Sequence, residues 1–201
     1  MDNAENAPLD SAAVRQLFLA ARSQNKWLDK PVSDEQLRGL YELVKWGPTS
    51  MNCSPMRLVF VRSPEARERL LSTVSPGNHD KVHTAPVVAI VGYDTRFFDK
   101  LAQLFPHRPD AGKIFHDSED LAQTTSFRNG SLQGGYLILA ARALGLDCGP
   151  LSGFDPELVN QRFFDDTTIR VNFLCCLGYG DPGGLFPRSP RLEFDAACQI
   201  L

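Results

Sequence analysis

No run of apolar residues in this chain is long enough to cross a membrane. The longest, from about Ala85 to Gly92, falls far short of the roughly 20 residues a spanning helix needs, so no membrane partner is expected. Neither sign of charge is in marked excess. With 21 Lys and Arg against 24 Asp and Glu, the formal net charge is -3, and no basic excess is left to neutralise a phosphate backbone. Nucleic acid is therefore not an expected partner. Cysteine is sparse and odd in number. Cys53, Cys148, Cys175, Cys176 and Cys198 cannot all pair and form no C-x-x-C, so neither a disulfide framework nor a zinc ribbon is suggested. The stretch Met1 to Asp10 carries acidic residues and no basic-then-apolar run, unlike a secretory signal, and a cytoplasmic location with reduced thiols is expected. The composition is that of an ordinary globular protein, 43% apolar and 22% charged, in a length that suits a single domain over 1–201.

Hydrophobic spacing sets out the elements. Val14, Leu17, Phe18 and Ala21 predict a first helix with one buried face, ending near Ser23 and followed by a polar loop to Lys30. Ser33 and Gln36 form a capping box for a second helix, whose stripe is Leu37, Leu40, Tyr41 and Val44 and whose stop is Gly47-Pro48. Leu58 to Val61 reads as a strand, and Ser63-Pro64-Glu65 opens a third helix. Val87 to Val91 suits a strand buried on both faces; Tyr93 to Asp117 reads as an irregular lid. A long helix is predicted from Ser118 to Leu144, with Gly134-Gly135 allowing close approach to another helix, in a dimer or core crossing. Asp155-Pro156-Glu157 opens a short helix, and Val171 to Leu177 is a further strand. This order of helices and strands predicts one sheet covered by helices, an α+β or α/β sandwich. Residues 182–201, rich in Pro and Gly but keeping Leu185, Phe186, Leu192 and Phe194, predict an extended C-terminal arm lying on another surface.

Three chemical motifs are weaker than they look. Gly178-x-Gly180-x-x-Gly183 follows a predicted strand, but Pro187 and Pro190 forbid the helix that a dinucleotide fingerprint requires. His79 and His83 are four apart, as in a zinc helix, yet Asp80 is short for a general base and Lys81 repels a metal, so no metal is expected. No G-x-S-x-G nucleophile elbow occurs. Cys53 lacks a nearby group that would make it a thiolate and reads as a packed loop thiol. What remains is a dispersed set of polar loops at Arg22–Asn25, Pro48–Asn52, Asn78–Lys81, Pro150–Gly153 and Arg188–Arg191.

In this order those segments resemble the nitroreductase family of FMN-dependent oxidoreductases, over nearly the whole chain from Leu9 to Leu201. Trp46-Gly47-Pro48-Thr49-Ser50-Met51-Asn52, Phe127 to Gly134, Leu146 to Pro150 and Leu185 to Leu192 resemble its malonic semialdehyde reductase branch. The resemblance implies an α+β homodimer, with a mainly antiparallel central sheet flanked by helices and a C-terminal arm exchanged between subunits. It implies FMN as cofactor, NADH or NADPH as co-substrate, and ping-pong reduction of a small aldehyde, malonic semialdehyde, to 3-hydroxypropionate in pyrimidine (uracil) degradation. A broad nitro- or quinone-reductase is the alternative within the class; a zinc hydrolase and a non-catalytic FMN-binding protein are more distant ones.

By the same resemblance, Arg22, Ser23, Asn25, Arg188 and Arg191 face the FMN phosphate, a dianion that wants charge-assisted donors. Asn78 and Lys81, three apart and on one helical face, match the pair at the flavin's pyrimidine edge. Pro48, Thr49, Ser50 and Asn52 match a polar loop contributed by the other subunit. Pro150, Leu151, Ser152 and Gly153 match the loop facing flavin N5. Two departures stand out: Ala21 and Asn25 replace basic residues common in the family, leaving Arg22 as the favoured phosphate donor, and Met56 replaces a frequent aromatic. Phe97, Phe98, Phe105 and Arg108 are candidate substrate contacts, Arg108 because a substrate carboxylate would need a cation.

Overall fold

The structure is a computed structural model that describes residues 7–201; Met1–Asn6, the first part of the acidic stretch noted above, lies outside the described residues. The chain runs α1 (Ser11–Val14, continued by a wider π turn over Arg15–Leu19), α2 (Asp34–Val44), β1 (Met56–Val61), α3 (Pro64–Leu71), α4 (His79–Thr84) and β2 (Val87–Asp94). It continues through α5 (Leu101–Leu104), α6 (Lys113–His116), α7 (Glu119–Ala143), β3 (Asp147–Leu151), α8 (Pro156–Phe163), β4 (Ile169–Gly178) and α9 (Phe194–Ala197). The strands form an antiparallel sheet in the order β1-β2-β4-β3.

Strand periodicity explains the two layers of core. Val87, Ala89 and Val91 point to one face of β2, where α2 and α7 cover them with Leu37, Leu40, Val44 and Leu137. Val88 and Ile90 point to the other, against Leu70, Leu71, Val82 and Val159 of α3, α4 and α8. Both faces of this antiparallel sheet are therefore dry, and β2 reads as a continuous apolar run, as expected from sequence. The Ser33–Gln36 capping box is present, with Gln36 N donating to Ser33 Oγ at 3.2 Å and Ser33 N donating to Gln36 Oε1 at 3.0 Å. Gly134 of α7 allows a close crossing over the sheet rather than over a second helix: a Cβ there would lie 2.5 Å from the Phe173 ring, whereas Gly135 faces open space.

Four expectations are corrected. The first helix is only one turn followed by a π turn, ending at Leu19, and its Phe18 is 53% exposed because nothing in the described chain covers it. Tyr41 leaves the buried stripe of α2 and is half exposed. Pro150 and Leu151 belong to an edge strand, β3, not to a loop; a proline is tolerated there because an edge strand need not donate on both sides. The 93–117 segment is not irregular: its short helical turns enclose a small core of Phe97, Phe98, Leu101, Ala111 and Phe115, completed by Cys53 and Ala122. Phe97 and Phe98 spend their rings inside that core, so they do not face a substrate.

Candidate active site

Three groups of sequence-predicted residues come together, each through a different structural device. The first lies where the two ends of the chain meet. Residues 24–28 run beside 179–184, with Leu28 N donating to Tyr179 O at 2.8 Å and Asp181 N to Lys26 O at 3.0 Å. Arg22 and Arg188 then form a reciprocal clasp: Arg22 donates to Phe186 O (2.5 Å), and Arg188 donates to Leu19 O (2.8 Å) and Ala21 O (3.0 Å). Asn25 Nδ2 donates more weakly to Gly184 O at 3.4 Å. Ser23 bridges to Cys148 at the free edge of β3. Arg191 is turned onto the carbonyls of Ser189 and Pro190 in its own arm, apart from this group. Beyond the clasp the arm is exposed, with Phe186 and Leu192 about three-quarters accessible.

The second group is built on the β3 edge. Lys81 of α4 is buried, 8% exposed, and its Nζ donates to Pro150 O at 3.2 Å. Among the described residues it has no carboxylate within ion-pair distance. Burial pushes its pKa below the usual lysine value, opposed in part by the nearby Cys176 and Cys175 thiols. Asn78, just before α4, donates from Nδ2 to Gly153 O at 3.3 Å. Two glycines make this packing possible. A Cβ on Gly149 would lie 2.6 Å from both Gln24 O and Lys81 Cε, and one on Gly153 would lie 2.3 Å from Asn78 Nδ2. Ser152 is exposed beside them.

The third group, Pro48 to Asn52, is at the opposite edge of the sheet, leading into β1. Three strand spacings, about 14 Å, separate the two edges, so one protomer does not bring this loop to Lys81. The loop is bent sharply: Met51, Asn52 and Ser54 have φ of 53°, 51° and 38°, a left-handed backbone uncommon for side-chain-bearing residues. Ser50 N donates to Asn129 Oδ1 at 2.9 Å, Ser54 N to Thr49 Oγ1 at 3.1 Å, and Asn52 Nδ2 to Leu104 O at 2.9 Å. Met56 N donates to Gln133 Oε1 at 2.9 Å. Cys53 is buried and its thiol is pushed up to about 11 by that burial, with the Thr49 hydroxyl partly offsetting it, which suits the packed thiol expected.

Asn129 and Gln133 were missed by sequence reasoning as site-forming residues. The available signal was a pair of amides at i and i+4 on the buried face of α7, where apolar residues are the rule. Arg57 was missed too. It holds Ser54 O and Met56 O and pairs with Asp94 at 2.8 Å. Arg108 is exposed at the tip of the 93–117 segment. His79 is committed to Val74 O at 2.9 Å, and among the described residues no group of three or more His, Cys, Asp or Glu is placed to hold a metal. No described helix is long and apolar enough to cross a membrane.

A helix-flanked antiparallel sheet, with a glycine-lined edge that buries Lys81 on one side and a strained polar loop on the other, defines the architectural class. The chain belongs to the nitroreductase family, whose model matches residues 18–179. A protein of Cupriavidus pinatubonensis, provisionally named an NADH dehydrogenase/NAD(P)H nitroreductase, is 61% identical over 186 residues, 92% of this chain and 95% of its own. Among solved structures, the Bacillus subtilis nitroreductase-like protein ydfN superposes with a TM-score of 0.84 at 22% identity, covering 96% of this chain and all of that one. A similar protein of Exiguobacterium sibiricum, solved in complex with FMN, gives 0.79 at 19% identity, covering 97% of this chain and 99% of its own.

Proposed function

We propose that the chain is a cytoplasmic, homodimeric, FMN-dependent NAD(P)H oxidoreductase whose acceptor is malonic semialdehyde, reduced to 3-hydroxypropionate in pyrimidine degradation. One observation carries the cofactor assignment: Lys81 is a buried cation with no acidic partner among the described residues, held against a glycine-lined sheet edge. An unneutralised buried cation is costly unless a ligand supplies the missing electron density. The FMN complex of the E. sibiricum protein, which has the same fold, supports the same choice. FMN bound at this edge would carry a hydride from NAD(P)H to the acceptor carbonyl.

The chain's own residues have separable roles in this reading. Lys81 neutralises the negative charge that reduction places on the ring's pyrimidine edge, and Asn78 offers an amide beside it. The Gly153 backbone permits close approach of a flat ring, and Arg22 with Arg188 would offer a phosphate dianion two guanidinium groups whose remaining N–H groups are unbonded among the described residues. Thr49, Ser50 and Asn52 complete the pocket of the partner, since their own Lys81 lies across the sheet. The exposed outer stripe of α7, Leu121, Phe127, Leu132 and Tyr136, together with Trp46 at 78% exposure, gives such a dimer an apolar surface to bury. Likeness to the malonic semialdehyde reductase branch supports the aldehyde. A second reading, a broad nitro- or quinone-reductase, is favoured by the name of the C. pinatubonensis relative.

An absorption spectrum of the purified protein, repeated after anaerobic NADH or NADPH and again after malonic semialdehyde, tests the proposal. A flavin band that bleaches with the nucleotide and recovers with the aldehyde is expected, with ping-pong steady-state kinetics. Protein that stays colourless with excess FMN overturns the cofactor assignment, and a band that neither nucleotide bleaches points to a non-catalytic flavin carrier. Faster turnover of nitroaromatics than of the aldehyde selects the second reading.

A further inference from the structure

Beside the strained loop lies a cavity of about 350 Å3, lined among others by Lys45, Trp46, Asn52, Arg57, Leu104 and Gln133. Its lining contains two cations and no carboxylate. Arg57 is held in a fixed orientation by Ser54 O, Met56 O and Asp94, so its planar fork is pre-organised. Asp94 meets it through Oδ2 alone, its Oδ1 accepting from Thr168 Oγ1 at 2.6 Å and Arg96 N at 2.9 Å, so the Arg57 Nε N–H makes no hydrogen bond with the described residues. Lys45 is bonded to Glu42 on an exposed rim, an ion pair of a kind worth about 0–1 kcal/mol, so turning Lys45 inward costs little. Gln133 is 3% exposed; its Oε1 is committed to Met56 N while its Nε2 makes no hydrogen bond with the described residues. Asn52, bonded to Leu104 O, closes the cavity between loop and 93–117 segment.

We propose that this cavity is a carboxylate subsite, which selects small acceptors carrying an acid group beside their reducible carbonyl. Arg57 and Lys45 supply the charge, and Gln133 Nε2 supplies a neutral donor. The volume is at the small end of the 300–1,000 Å3 common for ligand cavities, which fits a three-carbon acid better than a polycyclic acceptor. Because the loop belongs to the partner's pocket in the functional reading on which this inference rests, the subsite serves the active site of the other subunit. It gives the acid group of the acceptor a different home from the exposed Arg108.

The test compares wild-type protein with K45Q, R57K and R108Q. The first readout is the ratio of kcat/KM for malonic semialdehyde to that for propanal, which lacks the acid group. The second is calorimetric binding of 3-hydroxypropionate, which needs no turnover. K45Q, at an exposed position, is expected to lower the ratio about fivefold and to weaken 3-hydroxypropionate binding to a similar degree, about 1 kcal/mol. R57K keeps the charge but loses the fork, and a larger fall in both readouts is expected. A ratio unmoved by both K45Q and R57K overturns the subsite, as does a ratio that falls in R108Q and holds in K45Q. Flavin bleaching by NADH is recorded on every sample: bleaching with an unmoved ratio defeats the subsite alone, whereas absent flavin defeats the functional reading, and calorimetry still decides whether the cavity binds the acid.

Discussion

Along β3, Lys81 meets Pro150 on backbone fixed by its pairing with β4, Asn78 meets Gly153 just beyond that pairing, and two glycines let side chains lie almost on the backbone. Across the sheet, Thr49–Ser54 has no strand and no more than a single helical turn, and it carries three residues at positive φ. The first wall is stiffened by packing, the second by hydrogen bonds that Asn129 and Gln133 accept and Arg57 donates. Packing tolerates almost no added volume, while a hydrogen-bonded loop tolerates volume but not the loss of an acceptor. The two walls should therefore fail in different ways.

The packed wall is expected to show the largest effect. Gly149→Val places a branched side chain against Gln24 O and Lys81, and Gln24 is itself tied through its N–H to Cys148 O at 2.9 Å, so the neighbour cannot step aside. A loss of about 3 kcal/mol in urea unfolding is expected, at the upper end for overpacking. A loss below about 1 kcal/mol would show that the edge yields, and the contrast between walls would collapse.

The hydrogen-bonded wall comes next. Gln133→Leu keeps the volume but strips the buried Met56 N–H of its acceptor, for an expected cost of about 2 kcal/mol, and Gln133→Glu, which retains an acceptor, should recover part of it. Asn129→Ala removes the acceptor of Ser50 N, which sits nearer solvent; about 1 kcal/mol is expected. In both variants, amide hydrogen exchange should quicken at Ser50 or Met56 and stay slow along β3. Equal quickening on both edges would mean that the loop and the sheet edge are one cooperative unit.

The same contrast explains what could be read from sequence. The covered sheet was legible because Val87–Val91 of β2 and Phe173–Leu177 of β4 are unbroken apolar runs, and because the Ser33–Gln36 and Ser63–Pro64 signals are local. β3 was not legible: Asp147, Gly149 and Pro150 are poor strand formers, and the strand exists because β4 offers a partner and residues 23–24 cover its outer edge. Lys81, Asn78 and the arginines could be named from the pattern, since cation and amide positions survive as spacing. Asn129, Gln133 and Arg57 could not, because their significance lies in which backbone groups they reach across 79, 77 and 37 residues of chain, to Ser50, Met56 and Asp94 respectively. The core of Phe97, Phe98 and Phe115 was equally hidden. Scattered aromatics have no period, and only the turns that bring them around Cys53 make them a cluster.

The smallest effect concerns Lys81 itself, and it decides whether that residue is there for stability or for a ligand. Burial lowers its pKa, so between that lowered value and the ordinary lysine value of 10.5 the unfolded chain binds more protons than the folded one. The stability that Lys81 subtracts is therefore fully felt at neutral pH and is recovered as pH rises through that window. In flavin-free protein, Lys81→Met fills a similar volume without a charge. It loses only the bond to Pro150 O, so at pH 7 it should unfold at a slightly higher denaturant concentration than wild type, and the gap should close as pH approaches 10.5. The order should reverse with reduced flavin present under anaerobic conditions, because K81M forfeits the cation that the reduced ring needs. A variant less stable than wild type at pH 7 without flavin would make Lys81 a structural tie to β3, and the packed wall would then owe its charge to folding instead of to the cofactor.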